Sequence, residues 1–225
     1  MYLAGYHCKD NQKKKWQLSV WESAGIFSTD MKTFIDNGQF TAGKRSPNGE
    51  FREYYYNRIV ARRVTSKLKE LGYDAELLVL EDDDVSLTER CRRVNAWCLL
   101  HGKKNAICIS IHFNAHGNGY EWTNASGWSI YTSKGNTAAD ELATAIAETA
   151  KTNLPAMKMR GDWSDGDIDY EEEFYLLKHT LCPCVLSENG FMTNEQECRW
   201  LQTEEALSAL VKTHVEGIVN YLATI

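Results

Sequence analysis

Apolar positions along the chain alternate between short continuous runs and longer stretches with helical spacing. The short runs, which predict β-strands, cover residues 33–35, 75–80, 107–113, 128–132, 174–177 and 183–186. The longer stretches predict helices over 53–71, from Ser86, from Thr137 and over 204–222. Such alternation is typical of α/β proteins. The pattern therefore predicts an α/β domain with a central, mostly parallel or mixed sheet flanked by helices, in a phosphorylase/hydrolase-like arrangement.

The chain length and the N-terminal composition indicate how the chain is organised. A chain of 225 residues corresponds to one ordinary domain, or to one domain with an appendage. Residues 1–31 are polar with scattered aromatics and show no clear periodicity, so they are interpreted as an N-terminal extension of unclear role. The α/β pattern occupies residues 32–225, which we expect to form the functional domain.

Charge and composition exclude several classes of function. The net charge of −6 makes non-specific nucleic-acid binding unexpected. No apolar run reaches the ~18–20 residues that a membrane span needs. The first ten residues lack the pattern of a secretion signal, so we expect a protein that stays cytoplasmic until it is released. The sequence leaves the oligomeric state open.

The seven cysteines do not form a recognisable disulfide or metal-binding pattern. Five of them lie inside periodic apolar segments, namely Cys91, Cys98, Cys108, Cys182 and Cys184. This placement predicts small, buried and reduced side chains.

Three of four candidate polar residues occupy positions where an α/β sheet places its ligands, beyond the carboxyl ends of the strands. Gln39 follows the first predicted strand, His112 ends the 107–113 strand and Glu188 follows the 183–186 strand. Glu53 begins the first long helix. The topology therefore predicts that these residues meet in one cleft.

The residue types also fit one chemistry. Imidazole and carboxylate groups bind zinc, and a further carboxylate can act as a general acid and base. Each residue has a structural alternative as well. His112 could be a core histidine, Glu53 could complement a helix dipole, and Glu188 could be an exposed loop carboxylate.

The motifs around these residues resemble one enzyme family. They are Ile35-Asp36-Asn37-Gly38-Gln39-Phe40, Gly43-Lys44-Arg45-Ser46-Pro47, Arg52-Glu53-Tyr54, Ser110-Ile111-His112-Phe113-Asn114-Ala115 and Leu186-Ser187-Glu188-Asn189-Gly190-Phe191. In this order over residues 32–222, they resemble the zinc-dependent N-acetylmuramoyl-L-alanine amidases. The resemblance implies a Zn²⁺ enzyme that acts on peptidoglycan, cutting the stem peptide from N-acetylmuramic acid. A phage or prophage lysin, released at lysis, would fit the missing secretion pattern.

The resemblance also implies roles for individual residues. Glu53 and His112 would be zinc ligands, and Glu188 would be the general base and acid. Asn114 would support the site or touch the substrate, and Arg45 would meet an acidic group of the peptide.

One position departs from the family pattern. Gln39 stands where the family has a zinc-binding His, and Phe40 replaces the following Gly. An amide oxygen is a poor zinc ligand beside an imidazole. Three outcomes stay open: Gln39 ligates weakly, another histidine such as His7 or His116 replaces it, or the protein is an impaired or inactive amidase that binds cell wall or regulates lysis.

Two further groups of loop residues are candidates for binding. The aromatic residues Tyr120, Trp122, Trp128 and Trp163 could stack on sugars or pack in the core. The acidic residues Asp162, Asp165, Asp167 and Asp169 could hold calcium, although the spacing lacks the full calcium-loop motif and a solvated loop is the alternative.

Overall fold

The structure is a computed structural model that describes residues 31–39, 41, 43–164 and 166–225. The expected N-terminal extension thus lies outside the described residues, apart from Met31. The described residues form a six-stranded sheet in the order β2-β1-β3-β6-β4-β5. Its strands are β1 Lys32–Asp36, β2 Ala75–Leu77, β3 Ala106–Asn114, β4 Trp128–Thr132, β5 Tyr170–Glu171 and β6 Cys184–Phe191.

The sheet is mixed, as the sequence predicts. β2, β1, β3 and β6 run parallel to their neighbours, whereas β4 is antiparallel to β6 and β5 is parallel to β4. Because β1, β3 and β6 are parallel, their carboxyl ends meet at one edge of the sheet. The segments that follow these three strands, together with the start of the first helix, form the walls of the site.

Helices cover both faces of the sheet. They are α1 Glu53–Glu70, α2 Leu87–His101, α3 Ala138–Asn153, α4 Tyr175–His179, α5 Glu195–Leu201 and α6 Glu204–Leu222. The core that includes Ile35, Ile109 and Ile111 also takes in residues of α1, α3 and α6, and the core around Phe34 and Cys108 takes in residues of α2 and α4. Successive strand residues therefore supply two different hydrophobic cores.

The cysteine prediction is confirmed for all five residues. Cys91, Cys98, Cys108, Cys182 and Cys184 are buried and free. They belong to the core beneath α2 and α4, where they act as small apolar side chains.

The structure differs from two of the predicted strands: one is a helix, and the other is shorter than predicted. Residues 174–177 were expected to form a strand, but Phe174 caps the short helix α4. Periodicity does not distinguish a short apolar run in a strand from one in a helix, and here Leu176 and Leu177 are buried together. The expected strand 75–80 pairs with β1 only over Ala75–Leu77, and Leu80 is 73% exposed. The short elements β5 and α5 had no clear sequence signal.

A buried ion pair fixes the turn after β1. The fully buried guanidinium of Arg90 donates from Nη1 to Asp36 Oδ1 at 2.6 Å and to the backbone carbonyl oxygen of Gly38 at 2.6 Å. Ser110 Oγ donates to the other carboxylate oxygen of Asp36 at 2.6 Å. Side chains of α2 and β3 thus fix the position of the 36–38 segment.

We expect Arg90→Met to destabilise the fold by about 3–5 kcal/mol, because it leaves the buried Asp36 charge without its partner. The matched control is Arg92→Met, two residues along α2, which removes an exposed pair with Glu89 and should change stability little. Chemical denaturation of both variants measures the difference. Equal losses in the two variants would contradict a structural role for the buried pair.

Candidate active site

The carboxyl edge of the sheet brings Glu53, His112 and Glu188 together, as predicted. His112 in β3 and Glu188 in β6 are direct partners in the parallel register. Glu53 is the first residue of α1, and its backbone N–H donates to the carbonyl oxygen of Lys44 at 3.1 Å. The segment from Gly43 to Arg52 therefore connects the turn after β1 to the helix that carries Glu53.

Glu53 and His112 are in direct contact. Glu53 Oε1 lies 2.7 Å from His112 Nδ1, and the Glu53 side chain is only 1% exposed. Since an ionised carboxylate only accepts, Nδ1 carries the proton in this arrangement. Asn57 Nδ2 also donates to Glu53 Oε1, at 3.4 Å. Lys44 Nζ lies 3.3 Å from Glu53 Oε2 as an ion pair, but that oxygen accepts no hydrogen bond from the part of the chain that the structure describes.

The mutual contact shifts the pKa of both groups toward the charged forms. Burial raises the pKa of Glu53, but the hydrogen bond and charge of His112, with the charge of Lys44, outweigh it and lower the pKa overall. Burial likewise lowers the pKa of His112, and the hydrogen bond to Glu53 raises it above its ordinary value. The two side chains form a buried, polarised pair.

Glu188 has the opposite electrostatic environment. Burial, with a smaller contribution from the charge of Glu53, raises the pKa of Glu188 to about 7, although His112 and Lys44 act against it. Its Oε2 atom is buried and has no hydrogen-bond partner among the described residues. A carboxyl with a pKa near neutrality can both accept and donate a proton, which suits a general base and acid.

Gly38 allows the turn after β1 to pass directly beside His112. Its φ of 62° is in the left-handed region. A Cβ at this position would lie 2.3 Å from Asn57 Nδ2 and 2.9 Å from His112 Cε1. The glycine is therefore required both by the backbone and by the close approach of the two side chains.

We expect Gly38→Ala to destabilise the protein by about 2–4 kcal/mol, combining left-handed strain with the clash against His112 and Asn57. Gly49→Ala is the matched control, because Gly49 has a φ of 75° but no atom within 4 Å of its added Cβ. That control should lose only about 1–2 kcal/mol. Thermal unfolding compares the two, and an equal loss would show that the approach to His112 costs nothing.

A buried polar network that the sequence analysis missed lies behind the site. Asn189 Nδ2 donates to the backbone carbonyl oxygen of His112 at 2.9 Å, and Trp128 Nε1 donates to Asn189 Oδ1 at 2.9 Å. Ser187 Oγ donates to His214 Nε2 at 2.8 Å, since His214 Nδ1 donates to the carbonyl oxygen of Leu210. The Asn189 side chain also contacts Ser187 Oγ, at 3.1 Å. α6 is thus linked to the strands that carry His112 and Glu188.

This network also corrects one prediction and explains a charge state. Trp128 was a candidate for sugar stacking, but its side chain is fully buried in β4. Burial lowers the pKa of His214 to about 4, so the ring is neutral at physiological pH. The available sequence signal was the pair of polar residues flanking Glu188, Ser187 and Asn189, in an otherwise apolar strand.

The remaining candidates for the site lie around its rim. Gln39 is partly buried and follows Gly38 directly. Asn114 ends β3, and its Oδ1 accepts the N–H of Ala115 at 2.8 Å. Arg45 is exposed and forms an isolated antiparallel bridge with Arg52, immediately before Glu53. The ligand role of Gln39 and the substrate roles of Asn114 and Arg45 stay predictions.

The alternative metal ligands have no support in the described residues. His116 is exposed, and its backbone N–H donates to Thr193 Oγ1 at 2.9 Å. His7 and Asp165 lie outside the described residues. Within the described part, no group of three or more His, Cys, Asp or Glu side chains is placed to hold a metal ion. The acidic loop instead buries Asp169, which accepts a hydrogen bond from Thr132 and whose pKa burial raises to about 7.

The loop aromatics other than Trp128 are accessible. Tyr120 is 78% exposed, Trp122 37% and Trp163 60%. Tyr120 and Trp122 belong to the loop between β3 and β4, which leaves the sheet at the edge where His112 lies. Their proposed contact with sugars stays a prediction. Also, no helix in the part of the chain that the structure describes is long and apolar enough to cross a membrane.

Comparison with known proteins identifies the family. Residues 33–220 match the model of the N-acetylmuramoyl-L-alanine amidase family. An N-acetylmuramoyl-L-alanine amidase from Clostridium difficile 630 is similar in structure, with a TM-score of 0.73 and 26% identity, and the match covers 88% of this chain and 99% of that one. AmiC2, an amidase of Nostoc punctiforme, shares the fold with a TM-score of 0.70 and 23% identity over 86% of this chain and 98% of that one.

The curated relatives include both named and uncharacterised proteins. The uncharacterised YqiI of Bacillus subtilis is 26% identical over 77% of this chain and 76% of its own length. An endolysin of Bacillus phage SPP1 is 27% identical over 72% of this chain and 57% of its own length.

The open α/β sheet carries a cluster of carboxylate and imidazole groups at its carboxyl edge, which is where such folds place their active sites. The chain belongs to the N-acetylmuramoyl-L-alanine amidase family. It is accordingly a peptidoglycan amidase by enzyme class, which confirms the resemblance drawn from its motifs. The family is generally zinc-dependent.

The residues present fit a zinc ion only in part. Glu53 and His112 are ordinary zinc ligands. The buried Oε2 atoms of Glu53 and Glu188, which accept no hydrogen bond from the described residues, indicate a place where a cation would be stabilised. Gln39 adds a neutral amide oxygen at most. The donor set therefore contains two of the three strong ligands that catalytic zinc sites ordinarily have.

Proposed function

We propose that this protein hydrolyses the amide bond between N-acetylmuramic acid and L-alanine with a weakly held zinc ion. Glu53 and His112 are the principal ligands, and the amide oxygen of Gln39 is a weak third. The observation that carries the proposal is the convergence of Glu53, His112 and Glu188, with two buried carboxylate oxygens that have no hydrogen-bond partner. Such oxygens are costly to bury unless a cation or a proton joins them.

When bound, zinc polarises the carbonyl and lowers the pKa of water. Glu188 takes the proton from the attacking water as the new C–O bond forms. It then gives that proton to the leaving nitrogen of L-alanine as the C–N bond breaks. The pKa near 7 supports both transfers, because the protonated and ionised forms of Glu188 are close in free energy at neutral pH.

Other residues position these groups. The bond from Asn189 Nδ2 to the carbonyl oxygen of His112 fixes β3 against β6 at the register shift that follows His112. Asn114 and Arg45, on the rim, are proposed to contact the substrate. The similarity to a phage endolysin supports a role at lysis, in which the protein remains in the cytoplasm until it reaches the cell wall.

The test is the release of new L-alanine amino termini from purified peptidoglycan, with zinc added or removed by a chelator. We expect release that depends on zinc. Zinc-independent release would overturn the metal part of the proposal, and no release from folded, zinc-supplied protein would overturn the catalytic part.

The absence of a third strong ligand among the described residues favours one alternative, a wall-binding protein with little or no turnover. Cosedimentation with insoluble peptidoglycan in the same samples separates the two functions. Binding without release would support the alternative.

A further inference from the structure

Arg160 is a partly buried arginine with no acidic partner among the described residues. Its Nε atom is buried and has no hydrogen-bond acceptor. Its Nη1 reaches only the carbonyl oxygen of Ser126, at 3.5 Å, the long limit for a hydrogen bond. A guanidinium has five N–H donors, and no carboxylate among the described residues accepts from this one. The two buried arginines among the described residues have partners: Arg90 pairs with Asp36, and Arg58 donates to the backbone carbonyl oxygens of Glu81 and Asp82.

The surrounding structure holds Arg160 in place without neutralising it. Its guanidinium carbon lies 5.1 Å from the centroid of the Phe191 ring, within the range of a cation–π contact. The backbone N–H of Arg160 donates to the carbonyl oxygen of Trp128 at 2.8 Å, which extends the sheet beside β4. A Cβ on Gly127 would lie 3.0 Å from Arg160 Cγ, so the glycine leaves room for the arginine stem.

The neighbouring carboxylate, Glu197, is already committed to the backbone. Its two oxygens accept from the N–H groups of Gly127 and Phe191, each at 2.7 Å. Burial raises the pKa of Glu197, and the charge of Arg160 opposes that shift without a direct contact. Glu197 thus links the segments that contain Gly127 and Phe191, on either side of Arg160, and forms no ion pair with the Arg160 guanidinium.

Arg160 is also close to the catalytic edge. Phe191, on which it lies, follows Glu188 by three residues in the same strand. The Tyr131 hydroxyl is influenced by both groups: burial raises its pKa most, Glu188 raises it further and Arg160 lowers it. Trp128 bridges Met159, the residue before Arg160, and Ser129, the residue after Trp128, is the register partner of Glu188. Strand β4 therefore lies between Arg160 and Glu188, with both close to its first two residues.

We propose that Arg160 binds a carboxylate of the substrate peptide beyond L-alanine, a specificity contact that rests on the proposed amidase function. A planar guanidinium with free parallel donors matches a carboxylate in a bidentate manner. The need for such a contact follows from charge. The whole chain carries a net charge of −6, which disfavours the approach of an acidic peptide. A guanidinium without an acidic partner among the described residues, across β4 from Glu188, attracts the acidic group of the peptide and fixes it relative to the scissile bond.

The experiment compares two soluble probes, N-acetylmuramoyl-L-alanyl-D-glutamate and the same compound with both carboxylates converted to amides. Dissociation constants are measured by calorimetry in a Glu188→Gln background, so the result does not depend on turnover. Arg160→Met keeps an apolar side chain on Phe191 and removes the charge, whereas Arg160→Lys keeps the charge and removes the planar fork. Arg62→Met, on the exposed side of α1, is the matched control.

We expect Arg160→Met to weaken binding of the diacid by about 10- to 100-fold, as for a charged hydrogen bond, and to leave the diamide nearly unchanged. Arg160→Lys should weaken binding of the diacid less than Arg160→Met does, and Arg62→Met should bind both probes as tightly as the parent. Equal weakening of both probes would show a structural role for Arg160, and no weakening would show no contact; either result overturns the inference. Failure of the parent enzyme to hydrolyse either probe, with carboxylate-dependent binding retained, would instead overturn only the amidase function.

Discussion

Glu188→Gln should reduce the release of L-alanine amino termini from peptidoglycan by about 10²- to 10⁴-fold, the usual effect of removing a general base and acid. The amide has nearly the same shape as the carboxyl, so the fold and the pairing of β3 with β6 should remain. It can neither take the proton from water nor return it to the leaving nitrogen. The measurement is the initial rate at saturating zinc, with circular dichroism to confirm folding.

The matched control for this prediction is Glu195→Gln. Glu195 is exposed in the first turn of α5, where it pairs with Arg199. The same chemical change there should leave the rate unaltered. If Glu188→Gln retained the parent rate, the carboxyl with the raised pKa would not be the group that moves the proton, and another base would have to be found.

Gln39→His should strengthen zinc binding by on the order of 100-fold. Structural zinc sites with four ligands bind with about 10–16 kcal/mol, so one strong ligand contributes about 3 kcal/mol. The substitution exchanges a neutral amide oxygen for an imidazole nitrogen next to Gly38, where the backbone passes beside His112. Competition with a chromophoric chelator gives the zinc dissociation constant, and the amidase rate at limiting zinc should rise with it.

Gln196→His provides the same substitution at an exposed position of α5. It should leave the dissociation constant at the active site unchanged. If Gln39→His bound zinc no more tightly than the parent, position 39 would not face the metal. The third donor would then have to come from elsewhere in the chain.

The candidate site could be read from sequence because its residues follow a topological rule. His112 and Glu188 end apolar runs that are buried strands, and parallel strands bring their carboxyl ends to one edge. The convergence of His112 and Glu188 could therefore be predicted without knowing how the side chains pack. The long helices could also be predicted from the sequence, because apolar residues recur at helical spacing along α1 and α6, which span 18 and 19 residues. Both helices end within one residue of the predicted position.

The sequence predicted the short elements and the burial of individual side chains less well. Residues 174–177 have an apolar pattern that suits a strand or a helix, and only their packing beside α2 decides for the helix α4. Trp128 begins the predicted strand 128–132 but also follows a glycine-containing segment, so sugar stacking by an exposed ring stayed open beside core packing. Its place opposite Asn189 in the antiparallel pair of β4 and β6 buries it instead.

By itself, the sequence determined the alternation of strands and helices, the edge at which the chemistry lies and the family to which the chain belongs. These follow from local periodicity and from motifs in a fixed order. Only the tertiary structure decided which polar groups are paired. The link from His112 to Asn189 joins positions 77 residues apart, and that from Asp36 to Ser110 joins positions 74 apart. Whether a partly buried charge such as Arg160 has a partner depends on which distant segments pack around it, and no local pattern encodes that.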